Sequence, residues 1–246
     1  MCLESDGQFL IIDAGSGLLM LEKELRAAYV DYPNNVPGPF HILLSHLHID
    51  HIIGLTTFSP IWQKEPEVYV YTASRDERPL KEQVFGVFKP PYWPVVMKDS
   101  VMVKCILTQA DIPFTVGPFT VTPFAANHPD ETYSFHITDG RVNVVHLLDS
   151  EVSTGPEAEA LSRYCREADL IVFDAAYAPE DYLKHKGWGH STVTEGVRLA
   201  REWNCRTMQF AHFSQDYDDA ALEGWRRYFD GDDRFILAYD GMEIEL

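Results

Sequence analysis

Within six residues the chain places three imidazoles and a carboxylate, His46-Leu47-His48-Ile49-Asp50-His51. Imidazole nitrogen and carboxylate oxygen are donors that suit Zn²⁺ and similar divalent ions. Alternation in an extended stretch lets His46 and His48 face one ion, while Asp50 and His51 turn toward a second. Such a run arises by chance in about one of a thousand chains of this composition. Three further donors stand far downstream: His128 ends TPFAANH, Asp149 ends NVVHLLD and His212 ends RTMQFAH. Each closes an apolar run, at the rim where loops assemble sites. Taken singly, such a histidine is more often structural and such an aspartate a cap or turn. Taken together they supply ligands for two metals. His41, His136, His146 and His185 lack this context and are assigned no role.

These donors need rigid elements behind them. The apolar pattern predicts a buried strand over residues 9–14, a turn at Gly15 and Gly17, and a helix over 18–30. Strands follow at 40–45 and 68–73, and the stretch from 101 to 128 reads as several antiparallel strands, continued by YSFHITD and NVVHLLD. The last third alternates: a helix over 156–168, a strand over 170–175, a helix opened by Ser191 and running to about 203, a strand over 206–213, a helix over 219–229 and a strand over 235–239. The Pro-rich stretch 85–96, FGVFKPPYWPVV, reads as a long functional loop. Its aromatics Phe85, Phe88, Tyr92 and Trp93 are expected to serve loop packing or a dimer contact ahead of substrate stacking. No repeat or linker interrupts the chain, so residues 1–246 are expected to form a single α/β (α+β) domain, a layered sandwich with helices outside.

Composition narrows the partners. The chain has 246 residues, 46% of them hydrophobic and 24% charged, which excludes a collagen, a coiled coil or a disordered tail as its main description. Its net charge of −18 repels long polyanions, so a long nucleic acid is not expected as substrate. A small anion stays accessible to a local positive centre such as a metal cluster. The four cysteines form no CxxC pair, which points to reduced, partly buried thiols. The first apolar run, residues 9–12, is too short for a signal peptide, and no run reaches the length of a membrane span. A cytoplasmic protein with no membrane partner is expected.

In this arrangement the sequence resembles the metallo-β-lactamase superfamily: HLHIDH, His128, Asp149 and His212 match its metal motifs in order, and Asp13 of IIDAG matches an earlier one. The resemblance covers nearly the whole chain. It implies a four-layer αββα sandwich and two divalent metal ions, Zn²⁺ first, with Mn²⁺ or Fe²⁺ as alternatives. It further implies His46, His48 and His128 on one ion, Asp50, His51 and His212 on the other, and Asp149 bridging them. Because the first strand lies close to Met1, that edge of the sheet is expected to be short. Gly189-His190-Ser191-Thr192 is similar to the GHST segment of ribonuclease Z and related phosphodiesterases. That likeness implies His190 as general acid, with Asp174 of FDAAY holding its imidazole. The competing reading is that Ser191 or Thr192 caps the following helix while His190 is merely exposed. Neither the ribonuclease Z flexible arm nor the extra cysteine ligands of the phosphonate-pathway cyclic phosphodiesterase has a counterpart here.

Two divalent ions, two carboxylates and a bridging hydroxide leave a charge of roughly +1, which balances a phosphodiester monoanion. The expected function is therefore hydrolysis of a small or cyclic phosphodiester at a dinuclear metal site. Asp50 would orient the nucleophile and His190 would protonate the departing alkoxide. Hydrolysis of a carbonyl ester, lactone or thioester at the same metals is the alternative, and a non-catalytic metal-containing sensor ranks third. A homodimer is a further expectation.

Overall fold

The computed structural model describes residues 1–36, 38–152 and 155–246. The chain divides into two compact units, residues 1–119 and 120–246.

The first unit opens with a hairpin, β1 (Cys2–Ser5) and β2 (Gln8–Ile12), turned by Asp6 and Gly7 at φ 49° and 72°. Asp-Gly suits this turn because both central residues need left-handed backbone. The sheet edge therefore carries one strand more than the apolar pattern reveals, since β1 (CLES) is short and half polar. Helix α1 (Gly17–Ala28) then leads to β3 (Phe40–Leu43), the short α2 (Ile49–Ile52) and β4 (Val68–Ala73). Helices α3 (Leu80–Phe85) and α4 (Met97–Ser100) lead to β5 (Val103–Thr108). The five strands run in the order β1-β2-β3-β4-β5, parallel from β2 onward. Alternate residues Phe40, Ile42, Val68 and Val70 share one face and join Leu18, Leu25, Leu55 and Phe58 in an apolar core.

The aromatic stretch after residue 85 belongs largely to that core. Phe85, which closes α3, and Phe88 are buried, and Trp93 packs against the same core, while Tyr92 is exposed. Packing thus accounts for three of the four aromatics.

The second unit is built on a seven-stranded sheet in the order β12-β11-β10-β9-β8-β7-β6. Its strands are β6 (Phe114–Val116), β7 (Phe119–Ala125), β8 (Tyr133–Thr138), β9 (Asn143–Leu147), β10 (Leu170–Asp174), β11 (Thr207–Ala211) and β12 (Phe235–Leu237). Strands β7 to β9 are antiparallel, and β9 to β12 are parallel. Helices α5 (Pro156–Cys165), α6 (Pro179–His185), α7 (Val193–Trp203) and α8 (Asp219–Gly224) connect them. Helix α7 buries Val193, Val197, Ala200 and Trp203, a three-to-four-residue spacing that forms one stripe. A Cβ on its Gly196 would lie 2.3 Å from Phe210 Cε1, so the helix packs hard on β11.

Helix α7 starts later than the position of Ser191 indicates. Thr192 is the cap, its Oγ1 accepting the Glu195 N–H at 3.2 Å. Ser191 Oγ instead donates to the Ser150 carbonyl and accepts the Val152 N–H, at 2.7 and 2.8 Å. Helix α6 adds an element that the apolar pattern does not predict; it has Pro179 in its first turn, Glu180 and Asp181 beside it, and Lys184 and His185 in its last. The expected 219–229 helix is α8 followed by a 3₁₀ turn, Trp225–Tyr228.

Two glycines let α2 sit against the β2–α1 turn. A Cβ on Gly15 would lie 2.3 Å from the Asp50 carbonyl oxygen, and one on Gly54 would lie 2.1 Å from that of Gly15. The Ala14 N–H donates to His51 O and the Gly54 N–H to Ala14 O, both at 2.8 Å. Gly54→Ala should therefore destabilise the protein by about 1–3 kcal/mol. Gly17→Ala, with open space around its Cβ, should be neutral or stabilising by up to about 1 kcal/mol. Denaturant midpoints of the two variants check this, and equal shifts would contradict it.

Burial raises the thiol pKa of Cys2 to about 12, of Cys105 and Cys205 to about 11, and of Cys165 further still. Thiolate is the reactive form, so at pH 8 only about one thiol in a thousand at pKa 11 is reactive. Iodoacetamide at that pH should modify the native protein slowly and the denatured protein fully at all four cysteines. Rapid labelling of the folded chain would contradict the burial.

Candidate metal and catalytic site

In the first unit the predicted donors gather where β3 ends. His48 is the N-cap of α2, while Asp50 and His51 lie in its single turn. The His46 ring centroid lies 4.4 Å from that of His48 and 4.2 Å from that of His51, and His51 Nε2 is 3.4 Å from Asp50 Oδ2. Asp13 holds this group together. Its Oδ1 accepts the Ser45 N–H at 2.8 Å, and its Oδ2 accepts from Ser45 Oγ and His51 Nδ1, both at 2.9 Å. Ser45 Oγ also meets His46 Nδ1 at 3.0 Å. With the Nδ1 atoms so engaged, His46 and His51 present Nε2 as the donor, the arrangement in which a carboxylate or hydroxyl fixes a ligand's tautomer.

In the second unit the organising group is Asp174, fully buried at the end of β10. Its Oδ2 accepts the Asp149 N–H at 2.9 Å and His190 Nδ1–H at 2.8 Å. Its Oδ1 accepts the N–H groups of Ala176 and Ser191 at 3.0 and 3.2 Å. Four donors occupy the carboxylate, so Asp174 positions its neighbours and His190 presents Nε2 outward. His212 Nε2 lies 3.4 Å from Asp149 Oδ1. The His190 ring stacks on His212 with centroids 5.0 Å apart and stands edge-on to His128 at 5.7 Å. His128 Nδ1 accepts the Asp130 N–H at 3.3 Å and meets Thr132 Oγ1 at 3.1 Å, contacts that set the orientation of its ring.

Backbone conformation explains how strand ends deliver these side chains. Asp13, Asp149 and His212 follow β2, β9 and β11, and all three are left-handed, with φ of 58°, 49° and 61°. Non-glycine residues adopt this region at a cost, Asp and His less reluctantly than most, and such strain collects at functional sites. One left-handed residue ends the strand's alternation and redirects its own side chain.

All nine predicted site residues thus fall into two donor groups, one per unit. The donor set fits divalent ions: imidazoles with fixed tautomers and carboxylates within reach of them. Three supporting residues carried no sequence signal of their own: Ser45, Thr132 and Glu151. Glu151 is buried; its Oε1 accepts the Tyr182 hydroxyl at 2.6 Å and its Oε2 accepts the N–H groups of Gly187 and Gly189 at 2.7 and 3.2 Å. One glutamate in an acidic chain does not stand out. The histidines given no role are accounted for by packing. Burial lowers the pKa of His41 and His136, His41 Nδ1 meets Tyr71 Oη at 2.9 Å, His146 is buried in β9, and His185 stacks on Tyr177.

Comparison with known proteins agrees with this arrangement. The model of the beta-lactamase superfamily domain matches residues 9–213. A ribonuclease Z of Haloarcula marismortui is 21% identical over 97% of this chain and 88% of its own length. The crystal structure of the metallo-beta-lactamase fold protein YhfI from Bacillus subtilis superposes with a TM-score of 0.73 at 24% identity, over 99% of this chain and 90% of that one. Zn²⁺-bound PqqB from Methylobacterium extorquens gives 0.74 at 17% identity, over 100% and 85%. With two mixed sheets, metal donors at the ends of their strands and a family model spanning most of its length, the chain belongs to the metallo-β-lactamase superfamily of hydrolases.

Proposed function

We propose that this protein is a dinuclear metal-dependent phosphodiesterase acting on a small or cyclic phosphodiester, and that residues 1–246 work as one domain. The observation that carries the reading is His190, whose Nδ1 is held at 2.8 Å by buried Asp174 and whose ring is partly exposed beside His128 and His212. Hydrolysis of a phosphodiester with a poor leaving group needs a proton at the departing oxygen, and His190 in its imidazolium form, its Nδ1–H held by Asp174, would give up the proton on Nε2 and be left neutral. Relatives named ribonuclease Z support the same reaction class.

In this reading His46, His48 and His128 hold one ion, Asp50, His51 and His212 the other, and Asp149 bridges. Zn²⁺ is the first choice and Mn²⁺ or Fe²⁺ the alternatives. When bound, the ions supply Lewis acidity and a nucleophile at neutral pH. The chain's own residues do the rest. Asp13 and Ser45 fix the tautomers of His51 and His46, Asp50 orients the nucleophile, and Asp174 aligns both the Asp149 backbone and the acid His190. The net charge of −18 favours small anions over long nucleic acids. Four unpaired thiols fit a reducing compartment, the cytoplasm.

Three measurements test this. Asp13→Ala should weaken metal affinity by about 10–100-fold in equilibrium dialysis; unchanged affinity would remove Asp13 from its orienting role. His190→Ala should slow hydrolysis of diesters with alkoxide leaving groups by about 100-fold or more, and bis(p-nitrophenyl) phosphate far less, because nitrophenolate departs without a proton. Equal losses on both would argue against the acid role of His190. Asp174→Asn should share the His190→Ala pattern through loss of the orienting carboxylate.

A further inference from the structure

The loop that presents His190 also walls a cleft of about 300 Å³. Asn127, His128, Glu151, Lys186, Gly187 and Gly189 line it. Gly187 and Gly189 both have φ of 87°, a conformation that favours glycine. A Cβ on Gly189 would lie 2.2 Å from His128 Cδ2, so this backbone passes directly over the imidazole. Glu151 holds it there: one carboxylate oxygen takes the N–H groups of Gly187 and Gly189, and the other takes the Tyr182 hydroxyl of α6. Asn127 Nδ2 donates to the Glu151 carbonyl at 2.8 Å, tying the opposite wall to the same residue.

The electrostatics follow from these bonds. Both Glu151 oxygens accept from uncharged donors, which orient the carboxylate toward the loop and stabilise its charge there. Lys186, in contrast, is exposed and makes no ion pair among the described residues, whereas the nearby Lys184 pairs with Asp181 at 2.7 Å. Lys186 is the one lysine or arginine among the residues that line the cleft. The cleft adjoins His190, and in the proposed reaction His190 faces the departing oxygen.

We propose that this cleft is a subsite for a second negatively charged group, carboxylate or phosphate, carried by the leaving alcohol, with Lys186 as its partner and Glu151 as the residue that positions the loop. The substrate class is then a phosphodiester whose leaving group is itself anionic. The proposal rests on the phosphodiesterase reading for which side of the substrate the cleft receives.

The test compares methyl 4-carboxyphenyl phosphate with methyl 4-carbamoylphenyl phosphate on the full-length, metal-loaded protein. Their leaving phenols are of comparable acidity and differ in charge. The wild type should prefer the carboxylate in kcat/KM at low salt, with the preference narrowing as salt rises. Lys186→Ala should lower the ratio at least about 5-fold, Lys186→Glu should invert it, and Lys186→Arg should retain it. Glu151→Ala should lose both the preference and the slow hydrogen exchange of the Gly187 and Gly189 amides. Glu151→Gln should keep both, because its Oε1 can accept both N–H groups while its amide donates to the Tyr182 oxygen. A ratio identical in wild type and Lys186→Ala overturns the proposal. Turnover of neither diester would defeat the phosphodiesterase reading instead. Binding of the product phenols, followed by NMR, then decides the cleft separately: tighter binding of 4-hydroxybenzoate than of 4-hydroxybenzamide that depends on Lys186 supports it, and equal binding refutes it.

Discussion

A carboxylate shut away from water can be kept only if donors surround it, and Asp174 meets that condition with four N–H groups. Those donors come from Asp149, Ala176, His190 and Ser191, so one buried charge fixes the backbone of a predicted metal ligand, the tautomer of the predicted acid and the approach to helix α7. Removing it would leave several N–H groups without a partner in an apolar setting, which is costlier than losing one exposed hydrogen bond. The second unit's chemistry depends on this node. Asp13 plays the corresponding part in the first unit, accepting from Ser45 and His51 in a more open setting.

Strand ends do the positioning in both units. Apolar strands run into the core and stop at a residue in left-handed backbone, and the side chain at that stop is a predicted metal donor or the carboxylate that orients one. Steric cost is accepted at Asp13, Asp149 and His212, residue types that tolerate it better than branched ones. Glycines answer the opposite need. Gly15, Gly54 and Gly189 stand where a Cβ would strike backbone or an imidazole within 2.3 Å, and their absence of side chain lets loops cross close to the donors.

Much of this was legible because chemistry concentrated in few residues. HLHIDH announces itself by density, and His128, Asp149 and His212 by ending long apolar runs. The strands 40–43, 68–73 and 170–174 were readable because buried parallel strands are nearly continuous in Val, Ile, Leu and Phe. What escaped was short or polar. Strand β1 has too few apolar residues to show a pattern, and α3 is a single short helix after Pro79. Ser191 carried the composition of a cap, yet Thr192 took the role because Ser191 was engaged with Ser150 and Val152. Glu151 and Ser45 act through neighbours brought close by folding, and nothing in their local sequence records those partners.

The account stands or falls on metal occupancy. Anomalous diffraction at the zinc edge, from crystals grown with excess Zn²⁺, tests it most directly. It predicts two peaks, each about 2.0–2.2 Å from imidazole nitrogens or carboxylate oxygens drawn from His46, His48, Asp50, His51, His128, Asp149 and His212, with Asp149 bound to both. A single ion, or zinc held elsewhere while these side chains turn away, would contradict it.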